Sequence, residues 1–134
     1  MILRIQHDGP VPIYEQIVAQ VVYRVAAGAA APGTNIPSIR DTAKQVLVNP
    51  NTVARAYQEL ERQGVVVARR GMGMEVAPDA VARCRELRLD LVRQRLETAL
   101  REAVASGLSL PDIRRLVDEA LVAINHRPRT KEKN

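Results

Sequence analysis

The sequence predicts a mainly α-helical fold with one small β-hairpin, and three observations carry that prediction. Two short helical patterns meet across a capped break at Asn49-Pro50. Two β-prone runs, Val65-Val66-Val67-Ala68 and Met74-Glu75-Val76, flank a glycine-bearing turn. Two longer amphipathic patterns follow, one after Pro78 and one after Gly107. Periodicity of apolar residues separates helix from strand in each case.

Taken in order, residues 1–11 alternate Leu3 and Ile5 with Arg4 and Gln6, which suits a short extended arm but is too brief to assign. Pro12 opens a first helix in which Ile13, Ile17, Val21 and Val25 fall four apart. Tyr14, Val18 and Val22 widen that apolar face, so this helix should brace the next two. Gly28 and Pro32-Gly33 end it. Ser38 is a good N-cap for a helix starting at Ile39, and Asp41 in its first turn complements the dipole. The pattern breaks near Leu47. Asn49-Pro50 then restarts a helix, because Asn caps well and Pro at the first position gives up only an N–H without an intrahelical partner. This helix should run to about Gln63, with Gly64 in the left-handed conformation closing it. Val53, Ala56, Tyr57 and Leu60 form its buried face, leaving Asn51, Thr52, Ala54, Arg55 and Gln58 outward. The two β-prone runs then make a hairpin around Arg69-Arg70-Gly71-Met72-Gly73.

Beyond Pro78-Asp79, residues 80–106 contain no Gly or Pro. They carry an apolar stripe through Cys84, Leu87, Leu89, Leu91, Val92, Leu96, Ala99, Leu100, Ala103 and Val104. Gly107 stops this helix. A last one starts at Pro111, with Ser109 or Leu110 near the cap and Ile113, Leu116, Val117, Ala120, Leu121 and Ile124 at helical spacing. The polar, basic end at 127–134 is expected to be a frayed tail. The domains expected are therefore 1–77, 78–126 and that tail.

Composition bounds the function. A chain of 134 residues can bury one core plus a short extra element. Its net charge of +5 and pI near 10.0 favour a polyanionic partner. With three tyrosines and no Phe or Trp, the chain lacks the aromatic platforms that single-stranded nucleic acid needs. The single Cys84 excludes an internal disulfide and fits a reducing compartment. No apolar run is long enough to span a bilayer, and no secretory signal is read, so the expected location is the cytoplasm with no membrane partner.

A short helix, a tight turn, a second helix opening on small polar and basic residues, and a hairpin tipped with arginines are suited to double-stranded DNA. The second helix can enter the major groove, and the hairpin, or wing, can lie along the backbone or the minor groove. The chain resembles the winged helix-turn-helix domain of the GntR superfamily of bacterial transcriptional regulators. The resemblance rests on Pro32-Gly33-Thr34, on Pro37-Ser38-Ile39-Arg40, on the N-T-V-x-R-A-x-x-E-L-E-x-x-G pattern over residues 51–64, and on the R-x-G-x-G wing over 69–73. It begins at Pro12-Ile13-Tyr14-Glu15-Gln16-Ile17. The short C-terminal extension and the VNPNTV turn over 48–53 are similar to the YtrA-like branch. That likeness implies two C-terminal helices that dimerise, control of operons that are commonly transporter-related, and, more often than not, repression.

The residues expected at DNA are Ser38, Arg40, Lys44, Asn49, Asn51, Thr52, Arg55, Arg69, Arg70, Gly71 and Gly73. The resemblance implies that the arginine of PS-x-R, here Arg40, contacts DNA. Asn51 and Thr52 in the first turn can donate to phosphates or base edges, while Asn49 also serves as a cap. Arg55 can pair with guanine, with a salt bridge to Glu59 as its competing use. Arg69 and Arg70 can reach phosphates or a narrow minor groove. Met74 departs from the threonine that often follows the second wing glycine, and Ala54 is smaller than the side chain many relatives place there. Dimerisation is expected through Leu87, Leu91, Val92, Leu96, Leu100, Ile113, Leu116, Val117, Leu121 and Ile124. A two-fold dimer presents two recognition helices to a near-palindromic site with half-sites about 34–36 Å apart. The alternative partner for such a basic winged helix is an acidic protein.

No enzymatic constellation emerges. His7 and His126 lack spaced metal-ligand partners, and Cys84 in an apolar stripe reads as core. Gly71-x-Gly73 is a turn without the strand-loop-helix context of a phosphate loop. No cofactor is expected, and a small-molecule effector is left undetermined.

Overall fold

The structure, a computed structural model, describes residues 1–126; the basic tail expected over 127–134 lies outside the described residues. The elements are α1 (Ile13–Ala26), α2 (Ile39–Val46), α3 (Pro50–Arg62), β1 (Val66–Arg69), β2 (Gly73–Val76), α4 (Ala80–Ala105) and α5 (Leu110–His126). This is the mainly α architecture with one hairpin that periodicity called for. The chain forms two compact units, Met1–Val92 and a second from Arg93 onward.

In the first unit α1 and α2 both pack against α3. The buried stripe Ile17, Val18, Val21, Val22 and Val25 of α1 meets Val53, Ala56, Tyr57 and Leu60 of α3 in one core. The core is built largely from valine, which fills the space between short elements with few rotamers to lose. Caps behave as their residue types require. Ser38 Oγ accepts from the Asp41 N–H at 3.0 Å, and Asn49 Oδ1 accepts from the Asn51 N–H at 2.7 Å. Between α2 and α3, Leu47 occupies the left-handed region at φ 57° and is 81% exposed.

β1 and β2 pair antiparallel in register Val66↔Val76 to Arg69↔Gly73. The ladder reaches one residue further than expected at its tip. Arg69 belongs to β1 rather than to the turn, because positive φ at Gly71 and Gly73 closes the reversal over Arg70-Gly71-Met72 alone. The other edge of β2 is also covered. The Gly33 N–H donates to Val76 O at 2.8 Å, the Ile36 N–H donates to Met74 O at 3.0 Å, and Asn35 bridges to Glu75.

Residues 1–11 form no helix or strand, yet they are tied down. Gln20 accepts from the Arg4 N–H and donates to the Arg4 carbonyl, and Gln16 does the same for Gln6. The match is geometric. Two glutamines one helical turn apart are separated by about 6 Å along the axis, and alternate residues of an extended chain by roughly 6.6 Å. Leu3 is buried as a result. The arm also reaches the end of α2, where His7 Nε2 lies 3.1 Å from Val46 O and Gln45 donates to Met1 O at 3.2 Å.

The Pro78-Asp79 pair marks the start of α4, but compaction extends to Val92. Ala80 and Cys84 are fully buried in the first core, and Leu87 and Leu91 pack half-buried against it. In the second unit, the rest of α4 is followed by Gly107 at φ 94° and by α5, whose first turn is capped by Ser109 Oγ accepting from the Asp112 N–H at 3.2 Å. Ile113 is buried there, while Leu96, Val104, Leu116, Leu121, Val122 and Ile124 are exposed. No described helix is long and apolar enough to cross a membrane.

Candidate nucleic-acid interface

Three pieces of the first unit carry the expected DNA residues. On α2, Arg40 and Lys44 are exposed one turn apart while Thr42, Ala43 and Val46 face the core. At the start of α3, Asn51 is exposed, Thr52 is half-buried, and Asn49 holds its side chain on the Asn51 N–H. Pro at the first helical position holds a φ already suited to this turn.

A buried hydroxyl pair ties α2 to α3. Tyr57 donates to the Pro37 carbonyl at 2.8 Å, and its oxygen lies 2.7 Å from Thr42 Oγ1. With its own proton committed to Pro37, Tyr57 must accept from Thr42. Burial holds the Tyr57 phenol above its ordinary pKa, so the neutral hydroxyl is the working form.

Arg55 does not bridge to Glu59. Its Cζ lies over the Tyr14 ring at 3.7 Å from the centroid, and it remains exposed. Glu59 is instead engaged by Arg62, whose Nε donates at 2.9 Å, and by Gln63. The hydrogen bonds from Arg62 hold the Glu59 carboxyl below the ordinary carboxylate range. By sequence Tyr14 belongs to the apolar face of α1; its half-buried place on that face is the signal for a second role.

On the wing, Arg69 Nε donates to Glu75 Oε1 at 2.9 Å across the hairpin, so its charge is partly neutralised. Arg70 sits exposed at the turn beside Gly71, Met72 and Gly73. Among the described residues, none of Arg40, Lys44, Arg55 or Arg70 forms an ion pair, although the Arg55 charge also helps to lower the Glu59 carboxyl. Four cations outside any ion pair thus lie on the exposed sides of α2, α3 and the wing tip. Such an arrangement can neutralise phosphates.

The remaining chemistry is structural. No group of His, Cys, Asp and Glu among the described residues can hold a metal ion. His7 sits on Val46 O, and His126 Nδ1 lies 2.9 Å from Val122 O in α5. The Cys84 thiol is buried, and burial pushes it up to about 11, where it is neither nucleophile nor ligand at neutral pH. The roles of Gln16 and Gln20 likewise do not follow from helical periodicity. Gln16 is a buried polar residue on an otherwise apolar face, and that oddity was its signal.

Residues 13–76, which run from α1 through β2, match the family model described as "Bacterial regulatory proteins, gntR family". The HTH-type transcriptional repressor YtrA of Bacillus subtilis is 32% identical over 117 residues, 87% of this chain and 90% of that protein. Among solved structures, a GntR family transcriptional regulator from Listeria monocytogenes superposes with a TM-score of 0.68 at 31% identity. That match covers 84% of this chain and 97% of the other. The DNA-binding domain of AraR in complex with its operator ORX1 matches at a TM-score of 0.52 and 26% identity, over 57% of this chain and 99% of that one. A capped helix-turn-helix, a wing carrying R-x-G-x-G and this likeness over nearly the whole length of a characterised repressor agree: the chain is a DNA-binding transcriptional regulator and belongs to the GntR family.

Proposed function

We propose that this regulator acts as a homodimeric repressor, bound to a two-fold-symmetric operator in the bacterial cytoplasm. The observation that supports it best is the set of exposed cations outside any ion pair, Arg40, Lys44, Arg55 and Arg70, set on α2, α3 and the wing tip. In this reading Asn51, Thr52 and Arg55 read base edges, Arg40, Lys44 and Arg70 contact phosphates, and Gly71 and Gly73 allow close backbone approach. Ser38 and Asn49 combine capping with phosphate contact through the helix starts they expose.

The apolar residues left in water on α4 and α5 support the dimer. Val92, Leu96, Leu116, Val117, Leu121 and Ile124 are exposed, an amount of apolar surface that a second copy would bury. Leu87 and Leu91, half-buried against the first core, would set where the interface begins.

Selection of genomic fragments by the purified protein at near-physiological salt tests the reading. A two-fold-symmetric motif is the expected result, with Arg40→Ala and Arg55→Ala each costing about 1–3 kcal/mol of operator binding without dissociating the dimer. Salt-sensitive binding without a motif would instead point to a protein-docking or nonspecific module.

A further inference from the structure

We propose that Tyr14 is a positioning residue for DNA recognition, its ring holding the Arg55 guanidinium in place on the exposed side of α3. The inference rests on the reading of Arg55 as a base-contacting residue, and four observations support it. The Cζ-to-centroid distance of 3.7 Å is the spacing of stacked planes; an N–H aimed at the ring would push Cζ further out. Stacking occupies one face of the guanidinium and leaves its in-plane N–H donors unused, and those donors match the two acceptors of guanine. Glu59, the carboxylate at i+4 that would otherwise capture them, is occupied by Arg62 and Gln63. Tyr14 itself is half-buried against the core at the start of α1, and α1 packs on α3, so the ring is a fixed support rather than a second mobile side chain.

A free arginine on a helix surface samples many rotamers and must give up that freedom on binding. Stacked on Tyr14, Arg55 has lost much of it before DNA arrives. The ring therefore acts on sequence-specific affinity through Arg55, with no DNA contact of its own required.

The test uses the full chain, a duplex selected by the wild-type protein from a random-sequence pool, and a scrambled duplex. Tyr14→Leu should weaken binding to the selected duplex about two- to five-fold and leave the scrambled duplex unchanged. Tyr14→Phe, which keeps the ring, should restore it. In an Arg55→Ala background, Tyr14→Leu should cost nothing further. Losses that multiply in the double variant, or a Phe variant as weak as the Leu variant, overturn the positioning role. Arg55→Ala binding like wild type would remove the DNA role of Arg55 itself, and the positioning role with it. Should Tyr14→Leu fail to fold, the NMR spectrum of the wild-type protein decides. Ring-current shifts of the Arg55 side-chain protons support the stack, and random-coil shifts overturn it.

Discussion

Thr42 and Tyr57 share a buried hydroxyl–hydroxyl hydrogen bond of 2.7 Å that ties α2 to α3. The Tyr57 proton goes to the Pro37 carbonyl, so three polar atoms are satisfied by one phenol. Removing the Tyr57 hydroxyl leaves two of them without it. Tyr57→Phe should therefore cost about 1–3 kcal/mol of stability in urea denaturation. Thr42→Val should cost less, because the Tyr57 donor keeps Pro37. The two losses should not add, and additive losses would mean that the hydroxyls act independently.

Alkaline pH should destabilise the fold through Tyr57 and Cys84. Both groups are neutral when protonated, and burial raises both above their ordinary values in the folded state, the thiol from 9.0 to about 11. The unfolded chain then releases its protons first. The stabilisation is complete below the ordinary pKa and is lost as pH rises through the folded value. Denaturation curves followed from neutral pH toward the alkaline limit should show that fall, and Cys84→Ala should flatten the part above pH 9.0. The same burial predicts that a thiol reagent at neutral pH labels Cys84 only after denaturation. Rapid labelling of the native protein would contradict it.

Leu47 combines φ 57° with 81% exposure, so its side chain gains little from burial while its backbone sits where a Cβ is disfavoured. Left-handed conformation costs an L-residue about 1–2 kcal/mol, and glycine's greater freedom in the unfolded chain offsets roughly 0.4–1 kcal/mol of the relief. Leu47→Gly should leave stability unchanged or raise it by up to about 1.6 kcal/mol, as read by chemical denaturation. A clear loss would show that the leucine makes a contact its exposure hides.

On the wing, the two arginines should differ. Arg70→Ala should reduce the salt dependence of duplex binding by about one counterion. Arg69→Ala should change it less, because Glu75 already offsets the Arg69 charge. Equal slopes for the two variants would argue against this division.

The compact first unit sets where the chain can be cut. Removing everything after Ala77 takes Ala80 and Cys84 out of the core and should prevent stable folding. A chain ending at Val92 keeps them. It should fold, sediment as a monomer and bind a selected duplex more weakly than the full protein. A dimer that persists would relocate the interface to the winged helix.

The caps at Ser38 and Asn49, the buried face of α3 and the hairpin were legible because each follows from local rules of hydrogen bonding and periodicity. The ladder includes Arg69, one residue beyond the β-prone run, since strand length depends on how tightly glycines close the turn. Which carboxylate Arg55 or Arg62 would meet was not legible. Glu59 lies within reach of both by sequence spacing, and Tyr14, distant in sequence, drew Arg55 elsewhere.

By itself the sequence determined the order of the elements, their caps and the family, because these rest on interactions between residues a few positions apart and on motif spacing. Tertiary structure alone decided how the N-terminal arm is held, which cations stay outside ion pairs and how far the first core extends into α4. Those outcomes depend on residues far apart in the chain. Gln16 and Gln20 meet the arm, Tyr14 meets Arg55 and Cys84 joins the valine core only once the helices have packed.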